Sequence, residues 1–170
     1  MVRILLVMSL LLSPGLVFAQ NSSEPTHSAG WVNTGLGFGT GGVTLIGGAS
    51  RQIDHHIFSV RGTTSTELFN YNGDNIWDLG ILYGWATTSQ TFHLSASAGF
   101  GMIGGVYRKG GLFSGEPDEN IPLTPGLPLE FNVSWRSNRQ VGFGWHYFAN
   151  LNQERSFIGM AFTLQIGRLW

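Results

Sequence analysis

Bulky apolar residues recur at every second position in segment after segment of this chain. Ile158, Met160, Phe162, Leu164, Ile166 and Trp170 share one parity; Phe157, Gly159, Ala161, Thr163, Gln165 and Gly167 share the other. A strand sends successive side chains to opposite faces, so this period predicts a strand with one greasy face and one small or polar face. The alternation returns upstream. Val141, Phe143, Trp145 and Tyr147 oppose Gly142, Gly144 and His146, and Leu127, Leu129, Phe131, Val133 and Trp135 oppose Glu130, Asn132, Ser134 and Arg136. Phe92 to Met102, Trp77 to Trp85 and Val32 to Phe38 read the same way, although Leu82 breaks its polar face. Gly42 to Ser50 is ambiguous in facing, and Ile57 to Leu68 is rich in Thr and Ser; both read as strands. The count is about eight, enough for an up-and-down meander to close on itself as a barrel.

The connections fit that count. Thr87 to Gln90 and Ser137 to Arg139 are tight, Asn70 to Asp74 carries an Asn-Gly turn signal, and Gly104 to Asn120 is the longest gap. With both termini at one end of such a barrel, the tight turns fall at that end and the long segment at the other, a division of short and long connections that membrane barrels prefer. Arg51 to His56, a longer turn at the end of the termini, strains the scheme.

The start of the chain is a targeting signal by pattern. Arg3 precedes the apolar run Ile4 to Leu12, Pro14 and Gly15 break it, and Val17-Phe18-Ala19 suits a signal peptidase. The expected organisation is a cleaved signal peptide over 1–19, a periplasmic leader over 20–28 and a barrel over 29–170. The chain has no cysteine, which excludes a lipid-anchored lipoprotein and a disulfide framework.

Composition then decides which face is inside. Charged residues are 11% of the chain, against about 25% in typical soluble domains. An eight-stranded interior is only just wide enough for side chains, so the bulky face does not fit there and must point outward. Only lipid tolerates such an exterior. Trp77, Tyr83, Trp85, Trp135, Trp145 and Tyr147 are the candidate aromatic girdles at the bilayer interfaces. The predicted fold is an all-β, antiparallel up-and-down transmembrane barrel. A net charge of −1 without a basic stripe argues against nucleic acid.

The stretch Phe162 to Trp170 resembles the terminal strand of bacterial outer-membrane proteins, in which alternating apolar residues lead to a C-terminal aromatic. The remaining strands resemble, in pattern, the small eight-stranded barrels of the OmpA/OmpX type. This resemblance implies a Gram-negative outer membrane, outer-membrane lipid as the surroundings, and delivery by periplasmic chaperones. It also implies that the barrel-assembly machinery reads Phe162, Leu164, Ile166 and Trp170. Trp in place of the usual Phe, and Arg168 on the apolar face, depart from the family pattern. The resemblance transfers no catalytic residue.

The inward face carries Arg61, Glu67, Asp78, His93, Glu130, Asn132, Arg136 and His146, expected to form a polar network in which Arg61 pairs with Glu130 or Asp78. A proton or small-solute path is the functional alternative. A lipid hydrolase is a further one, but Phe148 at the next same-face position after His146 departs from a His-x-Ser arrangement. Asp54, His55 and His56 make a poor chelate, because adjacent histidines point apart. Glu116, Asp118 and Glu119 match no calcium-loop spacing. Gly35 to Gly39 precedes no helix and so is no phosphate loop. No metal, cofactor or catalytic set is expected, and the reading is an envelope-integrity or surface-interaction barrel. A narrow pore and a soluble ligand-binding barrel are its competitors.

Overall fold

The computed structural model describes residues 28–66, 75–108 and 118–170. The signal and leader, Glu67, the Asn-Gly turn and Glu116 lie outside the described residues. The strands follow in chain order: β1 (Ser28–Gly39), β2 (Gly42–Ile53), β3 (His56–Thr66), β4 (Asn75–Thr88), β5 (Phe92–Arg108), β6 (Asp118–Arg136), β7 (Val141–Asn152) and β8 (Phe157–Arg168). Each pairs antiparallel with its sequence neighbours, and β1 pairs with β8 to close the barrel. Closure leaves no edge strand, so every strand's backbone groups find partners within the wall, as a hydrocarbon environment demands. The end carrying both Ser28 and Trp170 is called the terminal rim, and the opposite end the loop rim.

Alternation becomes inside and outside as the sequence pattern requires. Along β4, Trp77, Leu79, Ile81, Tyr83 and Trp85 are exposed, whereas Ile76, Asp78, Leu82 and Ala86 are buried. Ile81 at 69% and Phe100 at 65% exposure show how far the apolar residues stand out from the wall. This belt of bare Leu, Ile and Phe on a closed all-β wall defines a transmembrane-type barrel. The ambiguous β2 resolves with Leu45 outward and Ile46 inward.

Several boundaries differ from expectation. The turn expected over Arg51 to His56 shrinks to Asp54 and His55, because β2 and β3 pair all the way to Ile53 and His56. Asp54 adopts φ 53 there, a left-handed conformation that short polar side chains tolerate. Its carbonyl accepts a 2.6 Å hydrogen bond from Gln52 Nε2. The strain on the scheme is thereby removed, since all three turns at the terminal rim are tight. At the loop rim, β5 and β6 pair out to Arg108 and Asp118, well inside the gap expected from Gly104 to Asn120. Their register shifts between Ile103 and Gly105, where Gly105 has φ 140. Such a bulge bends the hairpin.

Candidate functional site

The lumen is layered along the barrel axis. Toward the loop rim, Ile46, Ile76, Ile103, Ile121, Phe148, Phe157 and Ala161 form one buried apolar cluster. Toward the terminal rim, Ala29, Trp31, Ile57, Ala86 and Leu169 form another, with Trp170 packed on it. Between them lies a charged layer. The expectation that small and polar residues fill the interior is therefore corrected: they share the lumen with two bulky apolar plugs. Room for them comes from glycines. The Phe148 ring lies over Gly159, where a Cβ would fall 2.8 Å from Phe148 Cε2.

The charged layer is centred on Arg61, which is 1% exposed. Its Nη2 donates to Asp78 Oδ2 at 2.5 Å and its Nη1 to the Leu129 carbonyl at 3.2 Å. Its Nε stands 3.7 Å from Glu130 Oε1. The guanidinium also lies 5.8 Å from the Phe148 ring centroid, joining the layer to the plug beside it. Asp78 accepts from Thr63 as well, and from Asn150 Nδ2 at 3.1 Å. His146 Nε2 approaches Glu130 Oε1 at 3.4 Å. Asp78 is thus held by three donors, while Arg61 Nε, Glu130 Oε1 and both His146 nitrogens lack a well-formed hydrogen bond. Asn132 Nδ2 bonds Ser95 beside this cluster at 3.4 Å.

Two of the expected inward residues stand apart from the layer. His93 lies near the terminal rim, where Gln52 Oε1 meets its Nε2 at 3.1 Å and its ring stacks on Trp170 with centroids 4.5 Å apart. Arg136 is half-buried at the end of β6, one strand from Gly142, and makes no ion pair among the described residues. The sequence reading missed Thr63, Asn150 and Gln52; Thr63 continues the inward parity of Arg61 and so carried a usable signal, whereas Gln52 and Asn150 lie past the strand ends that alternation marks.

Trp170 requires a correction. The alternation puts it on the lipid-facing row with Phe162, Leu164 and Ile166, which are 45%, 42% and 50% exposed. Instead it turns over the mouth of the lumen, edge-on to Trp31 at 5.6 Å and stacked on His93. The strand ends at Arg168, and Gly167 with φ 154 swings the last residues inward, burying Leu169. Among the expected girdle residues, Trp85 and Tyr83 gather with His55 and His56 at the terminal rim, where His56 Nδ1 meets the Tyr83 hydroxyl at 2.7 Å. Trp77 stands near the loop rim beside Gly104, Trp135 packs edge-on against Phe143, and Trp145 against Phe162. Tyr147 is outward but falls in mid-strand, since β7 continues pairing to Asn152.

The charged layer thus lies between two clusters of packed apolar side chains. The His146 ring, 2% exposed inside the wall, is out of reach of acyl chains on the outer surface.

The class these features define is the small eight-stranded transmembrane-type barrel, and solved structures of outer-membrane proteins share the architecture. The N-terminal β-barrel domain of Pseudomonas aeruginosa OprF aligns with a TM-score of 0.61 at 7% identity, over 84% of this chain and 99% of that one. Neisserial surface protein A aligns with a TM-score of 0.56 at 12% identity, over 86% of this chain and all (100%) of that one. The Yersinia pestis outer membrane protein Ail aligns with a TM-score of 0.51 at 8% identity, over 83% and 99%. At such identities the likeness is one of fold. No protein-family model and no curated protein matches the chain.

Proposed function

We propose that this chain is an exported outer-membrane barrel that supports the envelope or presents a surface, and that it does not conduct solutes. The observation carrying this reading is the stacked lumen: apolar cluster, ion-paired layer, apolar cluster. A conduit of this width would need polar side chains and water along its whole length. The fold shared with outer-membrane barrels supports the location. In this reading the outer belt meets outer-membrane lipid, and the terminal strand is delivered by periplasmic chaperones and read by the barrel-assembly machinery through Phe162, Leu164, Ile166 and Trp170.

Surface presentation has its own support. A strand needs about 9–11 residues to cross a bilayer, whereas β5 has 17 and β6 has 19. The excess carries this hairpin beyond the membrane at the loop rim. Planar-bilayer recording of the refolded barrel tests the non-conducting reading. Flat traces are expected, and reproducible unitary steps from the wild-type barrel would replace it with the pore reading. Fractionation and heat-modifiability test the location: the protein is expected in the outer-membrane fraction, migrating faster before boiling.

A further inference from the structure

Arg51 on β2 and Arg168 on β8 are both exposed and both pair in register with the same residue of the strand between them, Gly30 on β1. All three share the outward face. The missing side chain at Gly30 leaves a shallow, open groove of about 530 Å³ on the outer wall, lined by the two arginines and by Val32 and Ile166. Val32 and Ile166 are themselves paired and are 57% and 50% exposed. The groove therefore has a cationic mouth at the terminal rim and an apolar run toward the middle of the wall. Neither Arg51 nor Arg168 has an ion-pair or hydrogen-bond partner for its side chain among the described residues. Arg139, in the adjoining turn, is held beside Arg168 through its carbonyl, which accepts from Leu169 N–H at 3.0 Å. Arg136 adds charge at the same rim, and Asp54 is its one side-chain carboxylate among the described residues.

We propose that this groove seats one anionic phospholipid in the leaflet at the terminal rim. Arg51 and Arg168 clamp the headgroup phosphate across Gly30, and an acyl chain lies along Val32 and Ile166. Guanidinium groups match phosphate oxygens in geometry and charge, and long arginine stems reach the headgroup level from a lipid-facing wall. The small residue between them is what allows one phosphate to meet both. This site goes beyond the envelope role proposed above, because it stands whether or not the barrel conducts.

The test uses the chain refolded in an uncharged maltoside detergent and titrated with dimyristoyl phosphatidylglycerol, lipid adducts being counted by native mass spectrometry. One retained lipid per barrel is expected. Each arginine contributes roughly fivefold to affinity, so Arg51→Ala with Arg168→Ala is expected to weaken retention about 25-fold. Gly30→Leu keeps every charge but fills the groove; a Cβ at Gly30 has room to form, its nearest neighbour being the Ser50 carbonyl at 3.8 Å. This variant is expected to lose the lipid while keeping its heat-modifiable fold. Arg155→Ala at the loop rim is expected to retain it. Unchanged retention in the double-arginine or Gly30→Leu variant overturns the proposal. Equal loss in Arg155→Ala, or competition by inorganic phosphate at the same concentration, overturns it as well.

Discussion

Replacing Arg61 with methionine removes the one cation at the centre of the lumen and leaves its shape nearly filled. Asp78 then loses one of its three donors but keeps Thr63 and Asn150. Glu130 loses its nearest fixed positive charge and keeps the 3.4 Å approach of His146 and the neighbouring Asn132 side chain. The Leu129 carbonyl loses its side-chain donor. Removing one partner of a buried ion pair costs about 3–5 kcal/mol, because the remaining charge stays desolvated without compensation. Retained donors on Asp78 put the expected loss toward the lower part of that range. Removing the whole set behaves differently. Arg61→Met combined with Asp78→Asn and Glu130→Gln keeps the volumes nearly unchanged and leaves no carboxylate without its cation, which removes the uncompensated charge that makes the single variant costly. The assay is urea unfolding of barrels refolded into phospholipid vesicles, followed by tryptophan fluorescence and by gel mobility without boiling. Loss of roughly 3 kcal/mol in the single variant, with recovery to within about 1 kcal/mol in the triple variant, is the expected result. If the single variant costs less than about 1 kcal/mol, the charged layer is wet rather than sealed. A triple variant as damaged as the single one refutes the pairing itself.

Other perturbations probe the layers beside it. Phe148→Ala is expected to cost about 3–5 kcal/mol through the cavity it leaves, yet to stay electrically silent because the cluster at the terminal rim remains; conductance is expected only when Trp31→Ala is added, as planar-bilayer recording can show. Gly159→Ala is expected to cost about 1–3 kcal/mol by overpacking the Phe148 ring, and Phe148→Leu in the same chain is expected to relieve it, measured by the same urea titration. Trp170→Ala is expected to lose about 1–3 kcal/mol from its contacts with His93 and Trp31. Refolding without cellular factors isolates that loss from any effect on assembly in vivo, and Trp170→Phe is expected to recover most of it.

Which face of each strand meets lipid was legible from parity alone. β4 is the plainest case, with Trp77, Leu79, Ile81, Tyr83 and Trp85 outward and Asp78 inward. The same parity marked Arg61, Asp78, Glu130 and His146 as lumen residues, and the cost of a buried charge required Arg61 to find a carboxylate. Parity says nothing about depth along the axis. Ile46, Ile76, Ile103 and Phe148 come from four strands, and only the register between those strands brings them to one level. The two apolar plugs were therefore invisible to a strand-by-strand reading, and Leu82 looked like an interruption when it is a lumen residue at 1% exposure. Strand ends were equally obscure. Pairing continues through Asn150, which bonds Asp78 in the lumen, to Asn152, which ties the following turn through Glu154, Arg155 and Ser156, compensations that local propensity does not contain. The inward turn of Trp170 depends on the backbone at Gly167, which alternation cannot anticipate.

The absence of native cysteine makes the central claim directly measurable. Single cysteines placed in turn from Ile76 to Ala86 of the bilayer-embedded barrel, each carrying a nitroxide, report oxygen accessibility by electron paramagnetic resonance. Accessibility alternating residue by residue is expected, high at Trp77, Leu79, Ile81, Tyr83 and Trp85 and low at Ile76, Asp78, Leu82 and Ala86. A flat profile, or high accessibility at the even-numbered positions, would contradict a lipid-facing apolar wall around a packed interior.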